Sequence, residues 1–235
     1  MKSRRVARHK LLCFSPLVML LTFCFEFLAA GSIAMRYELD RKAVIIIAIL
    51  VNLGLFQIAE WQVCANAGAQ VWARIGFIAT AILIPLGVDF IHHLAPSQLS
   101  KTARSLAWIT AGAFIAWFVL VPNSVNFVFC GGNYSIYRLS IVLGYSYAAF
   151  YWGWLFFTVW MANRSLRFMK MPREKRAMQA FMIGYGSFIV PTLISNAASP
   201  ETLKAIPSIL CGFAIFFAII LVGFVAPNSL VRKKA

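Results

Sequence analysis

Seven apolar stretches occupy most of this chain of 235 residues, and charged residues lie mainly between them. A helix of about 20 residues crosses the roughly 30 Å hydrocarbon core of a bilayer. Each stretch is long enough for one crossing; they cover residues 11–34, 43–64, 70–92, 104–121, 138–162, 177–198 and 205–226. The sequence therefore predicts an all-α integral membrane protein. Its seven-transmembrane helix bundle fills residues 11–228, with a basic N-terminal tail at 1–10 and a basic C-terminal tail at 229–235.

The composition supports a membrane protein and excludes a nucleic-acid-binding role. Hydrophobic residues make up 61% of the chain and charged residues 12%, far from the balance of soluble domains. The net charge of +15 comes from basic residues between the apolar stretches, where they suit anionic headgroups. The basic start and first apolar run imitate a secretory signal, but the run is too long and Glu26 interrupts it. We predict a retained first span, with cleavage as the alternative.

Positive charge predicts the orientation, because cytoplasmic loops carry the excess of Lys and Arg. An outside N-terminus and a cytoplasmic C-terminus place most basic residues inside: Arg36, Arg41, Lys42, Lys101, Arg104, the run 164–176 and the segment 232–234. The outside loops then hold little besides Lys204. The basic tail at 1–10 opposes this orientation, but a short tail can be translocated against the rule. We expect an N-out, C-in protein of the bacterial cytoplasmic membrane.

Short motifs in several stretches point to a sensor protein. They are Glu60-Trp61, Trp72-Ala73-Arg74 with Pro85, Leu143-Gly144-Tyr145-Ser146-Tyr147, and Arg176 to Gln179 followed by Gly184, Pro191 and Asn196. This pattern resembles the N-terminal seven-helix sensor region of some bacterial and archaeal histidine kinases. The resemblance implies the same orientation and a signalling role. A kinase or cyclase module normally follows that region, whereas this sequence ends at Ala235, so we expect the output to be a separate chain.

The resemblance favours a stand-alone, receptor-like protein that binds a small or lipidic ligand in its outer half and signals through a separate kinase, cyclase or membrane complex. The alternative is a non-catalytic accessory subunit of a larger membrane complex. A transporter or channel ranks third because polar residues within the spans are sparse. We predict no enzyme activity, cofactor or metal. No phosphate loop or nucleophile motif is present, three histidines disfavour haem or di-iron, and residues 205–226 lack the lysine that retinal needs.

The predicted ligand site lies in the outer halves of the helices. Aromatic side chains with sparse polar groups suit a small amphipathic ligand; the candidates are Glu60, Trp61, Arg74, Tyr145, Tyr147, Pro191 and Asn196. An ordinary aromatic belt explains the same Trp and Tyr residues without a ligand. Glu60 and Arg74 flank a tight turn, which predicts an ion pair across the hairpin, either structural or ligand-binding. Charged groups at bilayer depth need such partners. The alternative is that the two side chains are independent and solvated near the headgroups.

Two further groups of polar residues lie toward the inner side. Asp89, His92 and His93 are spaced so that one histidine shares the face of the carboxylate, which allows proton sensing; interfacial anchoring is the plainer interpretation. The segment 163–176 interleaves bulky apolar residues with six cations, so we expect contact with anionic lipid headgroups or a docked protein partner. These cations are Arg164, Arg167, Lys170, Arg173, Lys175 and Arg176.

Cys64 and Cys130 lie near the same predicted face, which makes a disulfide between them conceivable. The chain has five cysteines, and the odd total and wide spacing leave this pairing open.

Overall fold

The structure is a computed structural model that describes residues 16–65, 70–130, 135–198 and 206–233. Within these residues the chain forms seven long helices and one β-hairpin. The elements, in order, are α1 (Pro16–Arg36), α2 (Arg41–Ala65), α3 (Gln70–Leu94), α4 (Gln98–Leu120), β1 (Asn126–Cys130), β2 (Ser135–Arg138), α5 (Ile141–Leu166), α6 (Pro172–Ala198), α7 (Ile206–Ile220), a π-helical segment (Leu221–Val225) and α8 (Ala226–Ser229). The predicted helical architecture is therefore confirmed.

Five of these helices, α1 to α4 and α6, are long and apolar enough to cross a membrane. This identifies the chain as an integral membrane protein. α5 is 26 residues long but carries many tryptophans and tyrosines. The described part of α7, with its π-helical and α8 continuation, forms a shorter apolar segment from Phe213 to Ser229. Crossing by α5 and α7 stays a prediction, as does the orientation of the bundle.

Capping residues explain where the helix boundaries differ from the apolar stretches. α4 begins at Gln98 rather than at residue 104, because the Ser97 side chain accepts from the Ser100 backbone while Ser100 reciprocates. α6 begins at Pro172 rather than at residue 177, since proline fits the first turn of a helix. Both helices thus extend into polar segments that hydropathy alone leaves in loops.

The β-hairpin was not predicted from the sequence. β1 and β2 pair antiparallel, with Asn126 opposite Arg138 and Phe127 opposite Tyr137, and a bulge follows Phe127. Residues 135–138 are strand, so α5 starts at Ile141 rather than at residue 138. Gly131-Gly132 between two runs rich in β-branched and aromatic residues is a hairpin signal that could have been recognised.

α3 is the central helix of the bundle, because it contacts α2, α4, α5 and α6. α7 contacts α6, α2 and α1, which closes the bundle between its first and last helices. The packing is close at Gly87, where an added Cβ would collide with the Tyr185 hydroxyl and lie 3.0 Å from Cζ of the same ring. Gly184 likewise leaves room for Phe217, whose Cδ2 would lie 2.5 Å from a Cβ there.

The bundle has two unlike ends. At the hairpin face, the hairpin lies over the ends of α2 and α3, and Gln70 Nε2 donates to Asn126 Oδ1 over 3.4 Å. The basic face contains the connections 37–40, 95–97 and 167–171 together with residues 230–233. There Lys42 Nζ lies 4.0 Å from Glu174 Oε1, and an Arg173 guanidinium nitrogen donates to the Pro227 carbonyl over 3.0 Å.

The predicted basic C-terminal tail is ordered over Leu230–Lys233. Arg232 forms an isolated antiparallel bridge with Tyr37. The backbone N–H of Lys233 donates to the Arg36 carbonyl, and its Nζ donates to the Ala34 carbonyl, both over 3.0 Å. These carbonyls end α1 and have no partner within the helix, and a cation is favourable at that end. The segment therefore caps α1.

Candidate functional site

A buried carboxylate of α2 is bonded to the hairpin. Glu60 is buried, and one of its oxygens accepts a hydrogen bond from the Tyr137 hydroxyl over 2.5 Å. Tyr137 belongs to β2 and is itself buried, so the hairpin reaches into the bundle at this point. The hydrogen bond from Tyr137 offsets part of the cost of burying the Glu60 carboxyl group.

The predicted ion pair between Glu60 and Arg74 is wrong. The structure describes both side chains, and the ion pairs within 4.0 Å among the described residues are Lys42–Glu174 and Asp89–Arg104. Arg74 is only half-buried and stays near the start of α3. The sequence could not reveal the competing Tyr137 hydroxyl, because the residue lies 77 positions away.

Tyr147 forms a second polar contact deeper in the bundle. Its hydroxyl lies 2.6 Å from Thr80 Oγ1, which also donates to the Phe77 carbonyl over 3.0 Å. The Phe77 ring packs between the two tyrosines, with ring centres 5.4 Å from Tyr137 and 5.2 Å from Tyr147. We call Glu60, Phe77, Thr80, Tyr137 and Tyr147 the hairpin-side cluster. Phe114, Phe118 and Phe150 surround its inner end.

The structure brings only part of the predicted ligand set into this cluster. Tyr145 is 76% exposed, whereas Tyr147 is buried. Residues two positions apart in a helix are separated by about 200° around its axis. The two rings therefore face opposite sides of α5, and Tyr145 cannot share the cluster. Trp61 and Pro191 are half-buried on α2 and α6, and the Asn196 side chain lies outside the described residues. Phe77, Thr80 and Tyr137 were missed by sequence reasoning.

Cys64, near the end of α2, is disulfide-bonded. The Cys130 side chain lies outside the described residues, so its pairing with Cys64 stays a prediction. β1, which ends at Cys130, does contact α2. Disulfides persist in oxidising compartments and are rare in the cytosol. The bond therefore bears on which way the hairpin face points.

Asp89 has partners on the neighbouring helix α4 rather than the predicted histidines. The Arg104 Nε lies 2.6 Å from Asp89 Oδ1, as an ion pair without an aligned hydrogen bond, and Trp108 Nε1 donates to Oδ2 over 3.2 Å. His92 Nδ1 lies 2.9 Å from Ser100 Oγ. Asp89 thus ties α3 to α4. The His92 and His93 rings meet edge to face with their centres 5.4 Å apart, and proton sensing by Asp89, His92 and His93 stays a prediction.

All six predicted docking cations are exposed at the basic face. A groove of about 540 Å³ runs between the α3–α4 connection and the α5–α6 connection. Arg164 and Lys170 line this groove, and the other four cations do not. Exposed apolar side chains lie beside the charges, with Phe168 74% and Met171 62% exposed. The face therefore offers both charge and apolar surface.

Glu26 is an isolated acidic side chain in the described part of the chain. It is fully buried within α1, and neither carboxylate oxygen has a hydrogen-bond partner there. The same buried face of α1 carries Thr22, one turn away. A carboxyl group held in this way destabilises the fold, because removal from water is not offset by a hydrogen bond.

We expect Glu26→Leu to raise the free energy of unfolding by about 1–3 kcal/mol, because a buried polar group gives way to an apolar one of similar volume. Unfolding in mixed detergent micelles, followed by circular dichroism, measures the change. Glu38→Leu is the control, since Glu38 is exposed on the α1–α2 connection and should change stability by less than about 0.5 kcal/mol. Destabilisation by Glu26→Leu alone would contradict the isolation of this carboxylate.

Among the described residues, no three His, Cys, Asp or Glu side chains come close enough to hold a metal ion. Comparison with known protein families and with curated proteins finds no match to this chain. Its function has to be argued from the geometry above.

Proposed function

We propose that this protein is a receptor-like membrane protein that binds a small amphipathic ligand at the hairpin-side cluster and passes the signal to a separate protein. The observation that carries the proposal is the Tyr137–Glu60 hydrogen bond. The buried Glu60 carboxylate can exchange the Tyr137 hydroxyl of the hairpin for a hydrogen-bond donor of a ligand. Ring faces of Phe77 and Tyr147 lie just beneath and suit an apolar body.

The chemistry of the cluster indicates the kind of ligand. Glu60 accepts hydrogen bonds, and a carboxylate in an apolar setting binds a cationic or donor group most strongly. Aromatic rings attract cations as well as apolar groups. A fatty amine or an aromatic amine therefore fits the cluster better than a fatty acid, which would place two carboxyl groups together.

The distribution of positive charge and the disulfide of Cys64 together support an orientation in which the hairpin face lies outside the bacterial cytoplasm. The basic face carries the exposed cations of the α5–α6 connection, as cytoplasmic loops do. The disulfide of Cys64 lies at the other end of α2, where an oxidising compartment suits it. This proposed orientation agrees with the one expected from the loops.

A separate partner, such as a kinase, cyclase or membrane complex, would dock on the exposed cations outside the groove. These are Arg167, Arg173, Lys175 and Arg176. Arg173 donates a hydrogen bond to the carbonyl of Pro227 in α8, which continues from α7. A shift of α7 would therefore move Arg173 at this surface. The resemblance to histidine-kinase sensor regions supports the same division between ligand end and output end.

The cluster can be tested with Tyr137→Phe, which removes the hydroxyl donor and keeps the ring. With long-chain alkylamines as the probe, we expect the wild type to gain up to about 2.7 kcal/mol of stability at 100 times Kd. Glu60→Gln should abolish that gain, because it removes the charge. Tyr137→Phe should tighten amine binding, because the ligand then has no tyrosine hydroxyl to displace from the Glu60 carboxylate. Thermal unfolding in detergent with and without the amine measures both.

Tyr145→Phe is the matched control, because it makes the same chemical change on the exposed side of α5. Its amine affinity should equal that of the wild type. If Glu60→Gln binds alkylamine as tightly as the wild type, the cluster is not the binding site. If Tyr145→Phe changes the amine affinity as much as Tyr137→Phe does, the effect is not specific to the hairpin contact.

The accessory-subunit alternative has one observation in its favour. The apolar windows of α1 and α4 are only 33% and 22% buried, the lowest among the five candidate spans. Lipid covers such faces in a solitary bundle, whereas another subunit covers them in a complex. A partner that purifies in stoichiometric amount with the wild type, and is lost with Trp117→Ala on exposed α4, would favour this function.

A further inference from the structure

We propose that the groove at the basic face binds one anionic phospholipid, with the phosphate between Arg164 and Lys170 and the start of an acyl chain on the apolar wall. This site does not depend on the ligand proposed for the hairpin face.

The groove has two walls from separate parts of the chain. One wall is the α3–α4 connection with Pro96 and the start of α4 with Leu99. The other is the end of α5 and the α5–α6 connection with Phe168 and Met169. Its volume of about 540 Å³ falls within the range of pockets for small ligands, and it is open on one side. The depth suits a headgroup, because the groove lies at the ends of helices that are long enough to cross the bilayer.

The charge of the groove favours an anion. Arg164 and Lys170 supply two cations, and the single acid of the lining, Glu174, lies 4.0 Å from Lys42, a cation outside the lining. The Arg164 guanidinium stands 5.7 Å from the centre of the Trp160 ring. Stacking uses the face of the guanidinium and leaves its N–H edge for a phosphate, which arginine binds with two parallel hydrogen bonds.

The apolar side chains distinguish a lipid from a free phosphate. Phe168 and Met171 are 74% and 62% exposed, and both line the groove beside the cations. Exposure of this apolar surface to water is unfavourable, whereas the glycerol backbone and first methylene groups of a lipid would cover it. A soluble phosphate would use Arg164 and Lys170 but leave this surface bare.

The test is native mass spectrometry of the purified protein, titrated with phosphatidylglycerol or with phosphatidylcholine. We expect one phosphatidylglycerol to bind in preference to phosphatidylcholine. R164Q/K170Q should weaken that binding about 30-fold, since each cation near a membrane surface contributes about fivefold. R167Q/K175Q makes the same charge change outside the groove and should weaken binding by less than about threefold, because exposed charges at a distance are screened.

Ala95→Trp places a bulky ring in the groove and leaves every charge in place, so it should also displace the lipid. Gel filtration of each variant confirms that it is folded. Equal losses in the two double variants, equal binding of the two lipids, or lipid binding that survives Ala95→Trp would each overturn the site. Glycerol phosphate that displaces phosphatidylglycerol at equal concentration would show that the site recognises the phosphate alone. That result also overturns the proposal.

Discussion

Arg104→Met should lower the free energy of unfolding by about 3 kcal/mol, because it leaves the buried Asp89 carboxylate without its cation. The Asp89 side chain is 8% exposed and that of Arg104 39%, so the carboxylate carries most of the desolvation cost. Methionine retains most of the apolar stem of arginine, and the loss therefore reports the charge. Unfolding in mixed micelles measures the change.

The double variant Arg104→Met/Asp89→Asn should recover most of that stability. An asparagine at position 89 is uncharged, so it needs no cation when it is buried. Its amide oxygen can still accept the hydrogen bond from Trp108 Nε1, as the carboxylate does. Lys101→Met is the control, since Lys101 is exposed on the same end of α4 and should cost less than about 0.5 kcal/mol. A double variant no more stable than Arg104→Met would contradict the pairing.

Gly87→Ala should cost about 1–3 kcal/mol, because the new methyl group overlaps the Tyr185 hydroxyl in the tightly packed contact between α3 and α6. Adding Tyr185→Phe removes the overlapping oxygen and leaves a ring carbon 3.0 Å away, a contact that a small shift can relieve. The double variant should therefore be more stable than Gly87→Ala alone, by the same unfolding measurement.

Gly112→Ala provides the matched comparison, because no atom lies within 4 Å of a Cβ built there on α4. Alanine is about 0.5–1 kcal/mol more favourable than glycine within a helix, so this variant should be neutral or stabilised. If Gly87→Ala is equally well tolerated, the close approach of α3 and α6 is absent in the membrane.

Hydropathy predicted the helices well because a bilayer imposes length and apolarity together. α3 starts at Gln70 as predicted, and the predicted ends of α2 and α6 match closely. The starts of α4 and α6 were predicted too late, because Ser97 and Pro172 begin those helices in polar sequence that a lipid-based criterion assigns to loops. Local capping chemistry, which the apolar pattern does not contain, decides such boundaries.

The candidate site was harder to predict because its contacts join distant parts of the chain. Glu60 and Tyr147 were recognised as unusual within their spans, and both are buried in polar contacts. Their partners Tyr137 and Thr80 could not be identified without the three-dimensional arrangement of the hairpin and α3. Tyr145 shows the opposite error, because it was predicted to line the site but points away from the bundle. Tyr147, two positions later, points inward.

The cap that Lys233 places on α1 determines where foreign sequence can be attached. A fluorescent protein or affinity tag fused before Lys233 would remove the Nζ hydrogen bond to the Ala34 carbonyl. It would also place foreign sequence directly against the backbone bond to Arg36 and the bridge of Arg232 to Tyr37. It would then disturb the end of the first helix although it was joined to the last. A fusion that begins after residue 233 keeps these contacts, and a loss of folding only with the shorter junction would identify this segment as part of the bundle.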